Sequence, residues 1–574
     1  MALEMERKRR ESPPAGDSGG MTRVDPVTVS VVQHRLIGIV EEMGEAMLRT
    51  SFSQILNSSR DFSTAICGAS GELVAQAEHI PVHVGALPSG VYAVKEAFED
   101  DVKPGDVFLL NDPYFGGSHL PDLTAFVPVF VDATLMFWTV NRAHHSDIGG
   151  ATYGGYNASA TEIWHEGLRV PPLRLYDGGE LREDVLRFLK ANVRHPRDFE
   201  GDLSAQIGSA RLAETRLHAL VDEIGLDAVT ESMRRILDAA EIEVRRIIEG
   251  WTDGTYHGAA FLDDDGRGNE DVAIRATVTV RGSDVVVDLT ESDPEVRSFL
   301  NSSYANMRSG VAMALAFLLD ADVAKNDGAM RPVEIRARQG TVVWANPGAP
   351  VAMSTSHCAQ EIIEAIVVAL SQACPDRAMA GWGRRLRIAI KGMDPRNRRP
   401  FIWHLFHARP GAGASAGGDG WHGSGEWHSA GGLKFGSVEV AEVRFPLFFA
   451  RHEYRANSGG AGEFTGGAGV DLELRLETKE ASVANTAGDG TRHGARGIMG
   501  GSDGVPHRYY LAAPGKRRQL LGSKDEGITV PAGSVFEVHS GGGGGWGDPD
   551  KRKPAAAKRD RRDGFVTRRR SHSS

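Results

Sequence analysis

Imidazole and carboxylate side chains crowd into two short runs of this sequence, Gly116-Gly117-Ser118-His119-Leu120-Pro121-Asp122 and Arg142-Ala143-His144-His145-Ser146-Asp147-Ile148-Gly149-Gly150. These are the donors that a borderline divalent cation such as Zn²⁺ or Mn²⁺ prefers. Apolar residues between the runs predict a hairpin, Leu123 to Val131 and Leu135 to Arg142, turning at Asp132-Ala133. In such a hairpin positions summing to about 265 face each other, so Asp122 lies opposite Ala143 and Pro121 opposite His144. His119, Asp122 and His144 then converge at its open end, where glycines allow close approach. An isolated histidine would read as one more polar residue on a surface hairpin. Three histidines (His119, His144, His145) and two aspartates (Asp122, Asp147) at one hairpin end read as a metal site.

Other polar residues are less telling taken alone. Asp61, in Ser59-Arg60-Asp61-Phe62, is a cap or a partner for Arg60. His79 and His83 form a pair in an extended, proline-broken segment, where they are structural or orient ligands from behind. His357 beside Cys358 has no orienting third group, and a buried neutral thiol fits better than a nucleophile. Gly541 to Gly545 could cradle an anion with backbone N–H groups, but no Lys-Ser/Thr follows as nucleotide binding requires.

The elements that must position these residues are legible in the periodicity. Asp25-Pro26 is an N-cap followed by proline, and Val32, Leu36, Ile39, Val40, Met43 and Met47 continue at helical spacing to about Thr50. Phe62 to Cys67 and Glu72 to Gln76 flank a turn at Ala69-Ser70-Gly71. Helices are expected over Ser204 to Val221 and Asp227 to Glu249, punctuated by Gly225. Strict alternation from Val272 to Val280 and Val285 to Leu289 predicts a second hairpin; Arg308 to Asp320 and Gln360 to Gln372 read as buried helices. From Met379 onward short strands alternate with Gly-rich turns, interleaved with aromatic and His residues, which suits ordered loops. The fold class is therefore α+β, with mixed or antiparallel sheets, long helices in several layers, and a Gly-rich, β-rich C-terminal half. The expected organisation is a disordered tail at 1–24, an α+β region at 25–203 holding the metal site, a helical and hairpin region at 204–378, a Gly-rich region at 379–550, and a basic disordered tail at 551–574.

A chain of 574 residues has room for several packed layers, and 41% hydrophobic with 25% charged residues is ordinary globular composition. A net charge of −11 argues against a nucleic-acid partner. Three cysteines without a CxxC pair are no disulfide framework, and the longest apolar run, Gly310 to Leu319, is too short to span a bilayer. The compartment reads as cytoplasm.

At larger scale the motifs resemble those of the hydantoinase B/oxoprolinase family. The resemblance rests on Asn111-Asp112-Pro113-Tyr114-Phe115 running into Gly116–Asp122, on Arg142–Gly150, and on Thr161-Glu162-Ile163-Trp164-His165-Glu166-Gly167-Leu168-Arg169-Val170-Pro171-Pro172. Arg60-Asp61-Phe62-Ser63, His79–His83, Gly201–Gln206, Ser458–Gly462 and the terminal glycine run extend it over about Asp25 to Pro549. Trp164-His165 replaces a more usual Tyr-Gln, which bears on substrate identity. The resemblance implies metal ligands at His119, Asp122 and His144, and adds Asp61 as a fourth. It implies ATP used through a partner, a hydantoinase A-type ATPase subunit, in a hetero-oligomer that opens a cyclic amide such as a hydantoin, 5-oxoproline or a lactam. The partner would phosphorylate the amide carbonyl. His145 or Asp147 would then relay a proton as general base or orient a ligand. A ketone carboxylase subunit and a non-catalytic scaffold for the ATPase are the alternatives.

One expectation follows from the sequence alone. With no GxxxxGK[ST] loop and no GxGxxG between a strand and a helix, the isolated chain should neither bind ATP tightly nor hydrolyse it. Calorimetry checks this, and micromolar affinity would overturn the division of labour between two subunits.

Overall fold

The computed structural model of the chain describes residues 24–567, apart from 78, 154, 386 and 435. Its first helix, α1 (Pro26–Thr50), starts where the sequence places it: the Asp25 carboxylate accepts the backbone N–H groups of Val27 and Thr28, and Pro26 occupies the first turn. The apolar stripe Val32, Leu36, Ile39, Val40, Met43 and Met47 is buried along its length. Burial of side chains this size contributes about 1.5–3 kcal/mol each, so the stripe fixes the helix against its neighbours.

Those neighbours belong to a seven-stranded sheet in the order β2-β1-β5-β4-β3-β6-β7, made of β1 (Phe62–Gly68), β2 (Leu73–Ala77), β3 (Val107–Leu110), β4 (Asp122–Val131), β5 (Thr134–His144), β6 (Leu173–Asp177) and β7 (Glu180–Leu181). All of its pairs are antiparallel. Side chains alternate between its faces. Ala125, Val127 and Val129 pack with the α1 stripe and with Leu203 and Ile207 of a long helix. Phe126, Trp138 and Val140 pack with Leu87 and Val91 of α2 (Leu87–Phe98) on the opposite side. The long helix, α3 (Pro196–Ile224), begins earlier than its periodicity suggests, with proline in its first turn, and Gly225 separates it from α4 (Leu226–Ile248). The boundary expected at 203/204 therefore falls inside a continuous helix.

The middle of the chain adds a four-stranded sheet, β8 (Gly254–Asp264), β9 (Glu270–Arg281), β10 (Asp284–Asp288) and β11 (Val333–Arg336), in which β10 and β11 run parallel. The expected β9–β10 hairpin is present, whereas β8 carries few buried residues and has no alternation to betray it. Helices α5 (Tyr304–Ala316) and α6 (Ala359–Leu370) share one apolar cluster with this sheet. Two further sheets complete the fold: β13-β12-β16-β19, from β12 (Ile388–Asp394), β13 (Arg399–His404), β16 (Ser482–Thr486) and β19 (Ile528–Val530), and β14-β15-β20-β17-β18. The latter holds β14 (Leu447–Tyr454), β15 (Val470–Leu476), β17 (Arg508–Ala512), β18 (Gln519–Leu520) and β20 (Val535–His539), and the two sheets bury one common core.

Beside them the glycine runs form a bundle of extended segments. The run Gly541–Gly545 threads its middle. Its N–H groups donate to His507 Nδ1, Val505 O, Gly467 O, Gly381 O and Ser502 O, in residue order. These groups are fully engaged within the chain, so the run, already without the Lys-Ser/Thr of a nucleotide loop, offers no free N–H groups to an anion. Packing explains the composition. A Cβ on Gly543 would stand 1.9 Å from Ala412 O, one on Gly466 1.9 Å from Gly543 O, and one on Gly411 1.9 Å from Gly467 O.

The basic C-terminal tail is also ordered through 567, contrary to its reading as disordered. Helix α7 (Pro554–Arg562) follows Arg552, whose guanidinium pairs with Asp419 at 2.8 Å and Asp560 at 2.7 Å. Phe565 stacks on His422 with ring centroids 3.8 Å apart. The charge run reads as solvated until Asp419, far away in sequence, supplies its partner. The stretches 1–23 and 568–574, which complete the two expected tails, lie outside the described residues.

Because Gly543 is enclosed by backbone, Gly543→Ala should destabilise the chain by at least about 3 kcal/mol, the upper range for overpacking. Thermal melting and soluble yield against an exposed control such as Gly38→Ala, where a Cβ meets nothing within 4 Å, read the effect.

Candidate metal centre

The site is assembled by the register of three strands. The β4–β5 turn places Asp132 and Ala133 at φ 48° and 65°, the left-handed pair that matches hairpin twist. The pairing begins as expected, with Val131 opposite Thr134, but a bulge between Val129 and Phe130 shifts it by one residue. Beyond the bulge Asp122 stands opposite His144 rather than Ala143. The next strand continues the row: Phe62 pairs with Ala143, and His144 N–H donates to Asp61 O at 3.0 Å. Asp61, His144 and Asp122 are thus neighbours across the end of one sheet, and directly opposed residues point to the same face. His119 joins from the tight turn before β4, where Asp122 N–H donates to His119 O.

Donor atoms of His119, Asp122 and His144 all lie within 4.8 Å of one another, a set that can hold a divalent ion. His119 Nε2 is 2.8 Å and His144 Nδ1 3.0 Å from Asp122 Oδ1, while Ser118 Oγ donates to Asp122 Oδ2 at 2.6 Å. The tautomer of His119 is fixed from behind. Its Nδ1 is 2.5 Å from Ala352 O, which only accepts, so Nδ1 carries the proton. Glu166 holds that segment in turn, accepting the N–H groups of Val351 (2.9 Å) and Ala352 (2.8 Å). His119 Nε2 is buried without a hydrogen-bond partner although it faces Asp122. With Nδ1 protonated, the Nε2 lone pair faces the Asp122 carboxylate and the His144 ring, a convergent donor set that a cation would satisfy, so the residues fit a metal.

Asp61 stands outside that trio and reaches it through His83, whose Nε2 is 3.6 Å from Asp61 Oδ1 and 3.5 Å from Asp122 Oδ2. A one-turn helix, Pro81–Val84, carries His83. Beneath them the fully buried Arg142 donates to Thr124 Oγ1 and to His83 O. The electrostatics follow from burial. Burial opposes ionisation of Asp122, but His119 and His83 beside it hold its carboxyl well below the usual range. Burial also works against a charged His119 ring, and Asp122 overcomes it, so its pKa rises. For His83 burial prevails over both carboxylates and the pKa falls.

The two residues expected to move protons are placed elsewhere. Successive residues of a strand face opposite ways, so His145 points away from His144: its Nε2 meets Gln206 Oε1 at 2.9 Å and its ring packs on Phe199, both on α3. Asp147 is held by Arg194, accepting the backbone N–H at 2.5 Å and a guanidinium N–H at 2.8 Å. Both serve the packing of α3 and its approach against the hairpin. On the opposite side the chain brings up Tyr156, His404, Arg385, Glu426 and His428, all buried. The His404 ring meets Tyr156 edge-on at 5.3 Å, and burial, followed by the charges of His144 and Arg385, lowers its pKa to about 3. Sequence reasoning singles out none of these; the only signal is the histidines scattered through the Gly-rich half. His357 and Cys358 are buried, and burial pushes the thiol far above its ordinary range, which fits an inert thiol.

The hydantoinase B/oxoprolinase family profile matches residues 25–549, and the chain belongs to that family. It is 36% identical to the caprolactamase subunit beta of Pseudomonas jessenii over 95% of each chain. It is 29% identical to 5-oxoprolinase 1 of Arabidopsis thaliana, over 91% of this chain and 42% of that one. Its fold superposes on the crystal structure of the ATP-dependent caprolactamase from Pseudomonas jessenii with a TM-score of 0.87 at 34% identity, covering 95% of both chains. Nucleotide-free acetone carboxylase gives the same TM-score at 20% identity, over 98% of this chain and 81% of that one, and that likeness is one of fold.

Elemental analysis of the purified chain is expected to find about one Zn²⁺ or Mn²⁺ per chain. The double variant His119→Ala/His144→Ala should lose it, whereas His145→Gln should retain it and only melt earlier. Full metal content in the double variant would rule this centre out.

Proposed function

We propose that the chain is the hydrolytic subunit of an ATP-dependent cyclic-amide hydrolase, paired in a hetero-oligomer with a hydantoinase A-type ATPase subunit. The observation that carries the reading is the row Asp61–His144–Asp122, completed by His119 with its Nε2 2.8 Å from Asp122 Oδ1. The names of the family's caprolactamase and 5-oxoprolinase members support the substrate class. Among the described residues no helix is long and apolar enough to cross a membrane, which suits a small polar substrate reaching the site from water.

Cyclic amides resist hydrolysis because resonance stabilises the carbonyl and nitrogen leaves poorly. In the proposed reaction the partner transfers phosphate from ATP to the amide oxygen, and this chain receives the activated ring. Asp61, His119, Asp122 and His144 would hold a divalent ion, Zn²⁺ or Mn²⁺. Such an ion lowers the pKa of water toward neutrality and acts as a Lewis acid. The protein's own contribution is orientation. Ala352 O sets the His119 tautomer, Ser118 occupies one lone pair of Asp122, and His83 keeps the Asp61 and Asp122 carboxylates apart by a single imidazole. Burial of all these groups excludes bulk water from the activated carbon. With His145 and Asp147 committed to α3 and Arg194, neither is assigned the general base.

The decisive measurement uses the complex reconstituted with its ATPase partner and a panel of lactams, hydantoins and 5-oxoproline. Asp122→Ala should abolish ring opening without preventing ATP use, so phosphate appears uncoupled from ring-opened product. Measuring both in one reaction distinguishes the cases. Normal turnover with normal coupling in Asp122→Ala would sink the hydrolytic assignment.

A further inference from the structure

Next to the metal centre lies a second cluster that the ligand row does not use. The segment before β12 continues its pairing with β16, since Asp489 N–H donates to Arg385 O and Ala487 N–H to Arg387 O. Arg385, Arg387 and Ala389 therefore share one sheet face. His404 pairs directly with Ala389, and so points to that same face. The Arg387 guanidinium lies over the Phe406 ring at 3.9 Å. This face looks toward the metal centre: His404 touches Tyr156, Asn485 opposite Ala389 donates to Tyr156 O, and the charge of His144 reaches His404.

The donors on this face are incompletely matched. Arg385 gives one nitrogen to Glu426 Oε2 at 3.0 Å and lies against His428 Nε2, but its Nε has no partner. Arg387 is 2% exposed and leaves both Nε and Nη2 without partners. Both ring nitrogens of His404 and Nδ1 of His428 are likewise buried and unpartnered. Leaving a buried guanidinium N–H unmet costs roughly 1–3 kcal/mol per group or more. The unmet guanidinium N–H groups of Arg385 and Arg387, with the single N–H of a neutral His404, gathered on one face beside a metal centre amount to a site prepared for an oxyanion. Guanidinium forks match tetrahedral oxyanions with two oxygens at a time.

We propose that Arg385, Arg387 and His404 form an anion subsite that receives the phosphoryl group of the activated substrate and so aims its reacting carbon at the row Asp61–His144–Asp122. The assignment rests on the reading above that the substrate arrives phosphorylated. It goes further in naming where that group sits. Glu426 fixes one edge of Arg385 and leaves the Nε edge for the ligand.

The probe is inorganic phosphate, titrated calorimetrically into the full chain, metal-loaded and metal-stripped, with acetate as the competing oxyanion. Phosphate should bind both forms. Arg387→Met, which keeps an unbranched apolar side chain of similar length beside Phe406, should weaken binding at least tenfold with metal content unchanged, and Arg387→Lys should restore part of it. Arg385→Gln should act in the same direction. Binding that is identical in wild type and Arg387→Met, or that vanishes entirely with the metal, overturns the subsite, as does acetate binding as tightly as phosphate. The two readings fail separately. Ring opening in a complex whose chain binds no phosphate sinks the subsite alone. Phosphate bound through Arg387 in a chain that opens no ring supports the subsite and sinks the hydrolase.

Discussion

Asp122 is a carboxylate with no contact with solvent, and everything around the site is arranged to keep it charged. Moving such a group from water into protein costs several kcal/mol unless it is met by donors or cations. Here Ser118, His119, His144 and His83 all converge on it, drawn from the turn before β4, from β5, and from the helical turn after β2. Each has its own support: Ala352 O behind His119, Asp61 beside His83, and the buried Arg142 under Ser118 and the His83 carbonyl. Remove the carboxylate and these polar groups lose their common partner, so the metal centre is organised around one ion.

How much of this is legible in the sequence depends on the distance over which the signal acts. The α1 stripe, the β9–β10 alternation and the β4–β5 hairpin are readable because their periodicity is local. The trio His119, Asp122 and His144 is readable for the same reason, being the two ends of one hairpin. The exact pairing is not. A bulge at Val129/Phe130 has no composition signal, yet it moves Asp122 from Ala143 to His144. His145 is misjudged from sequence because adjacency means opposite faces in a strand, and α3 claims that side. Asp61 looks like a cap until a family resemblance places it, since only the β1–β5 pairing brings it beside His144.

The misreadings at the C-terminal end share a different cause. Basic runs look like solvated tails when their partners are far away in sequence, and glycine runs, though legible as ordered loops, do not show which segments they pair with. The groups that satisfy Gly541–Gly545 come from segments near 381, 467, 502 and 507, and the group that satisfies Arg552 is Asp419. Likewise the cluster of Arg385, Glu426, His404 and His428 is invisible as a motif, because no two of its members lie within one turn or hairpin except Glu426 and His428. Electrostatic sites built between sheets are written in topology rather than in spacing.

The glycine bundle also sets an order of events. Its central thread is its last segment to be synthesised, while the strands that enclose it emerge earlier from the ribosome. At ~5–20 residues per second, roughly 10 to 30 s separate the appearance of Gly381 from that of Gly545. During that interval the carbonyls of Gly381, Gly467 and Ser502, which Gly541–Gly545 will later occupy, have no intramolecular donor from that thread. Long-range pairing of this kind is slow to nucleate. The bundle therefore cannot close until Gly541–Gly545 arrives, and until then those carbonyls are left to water.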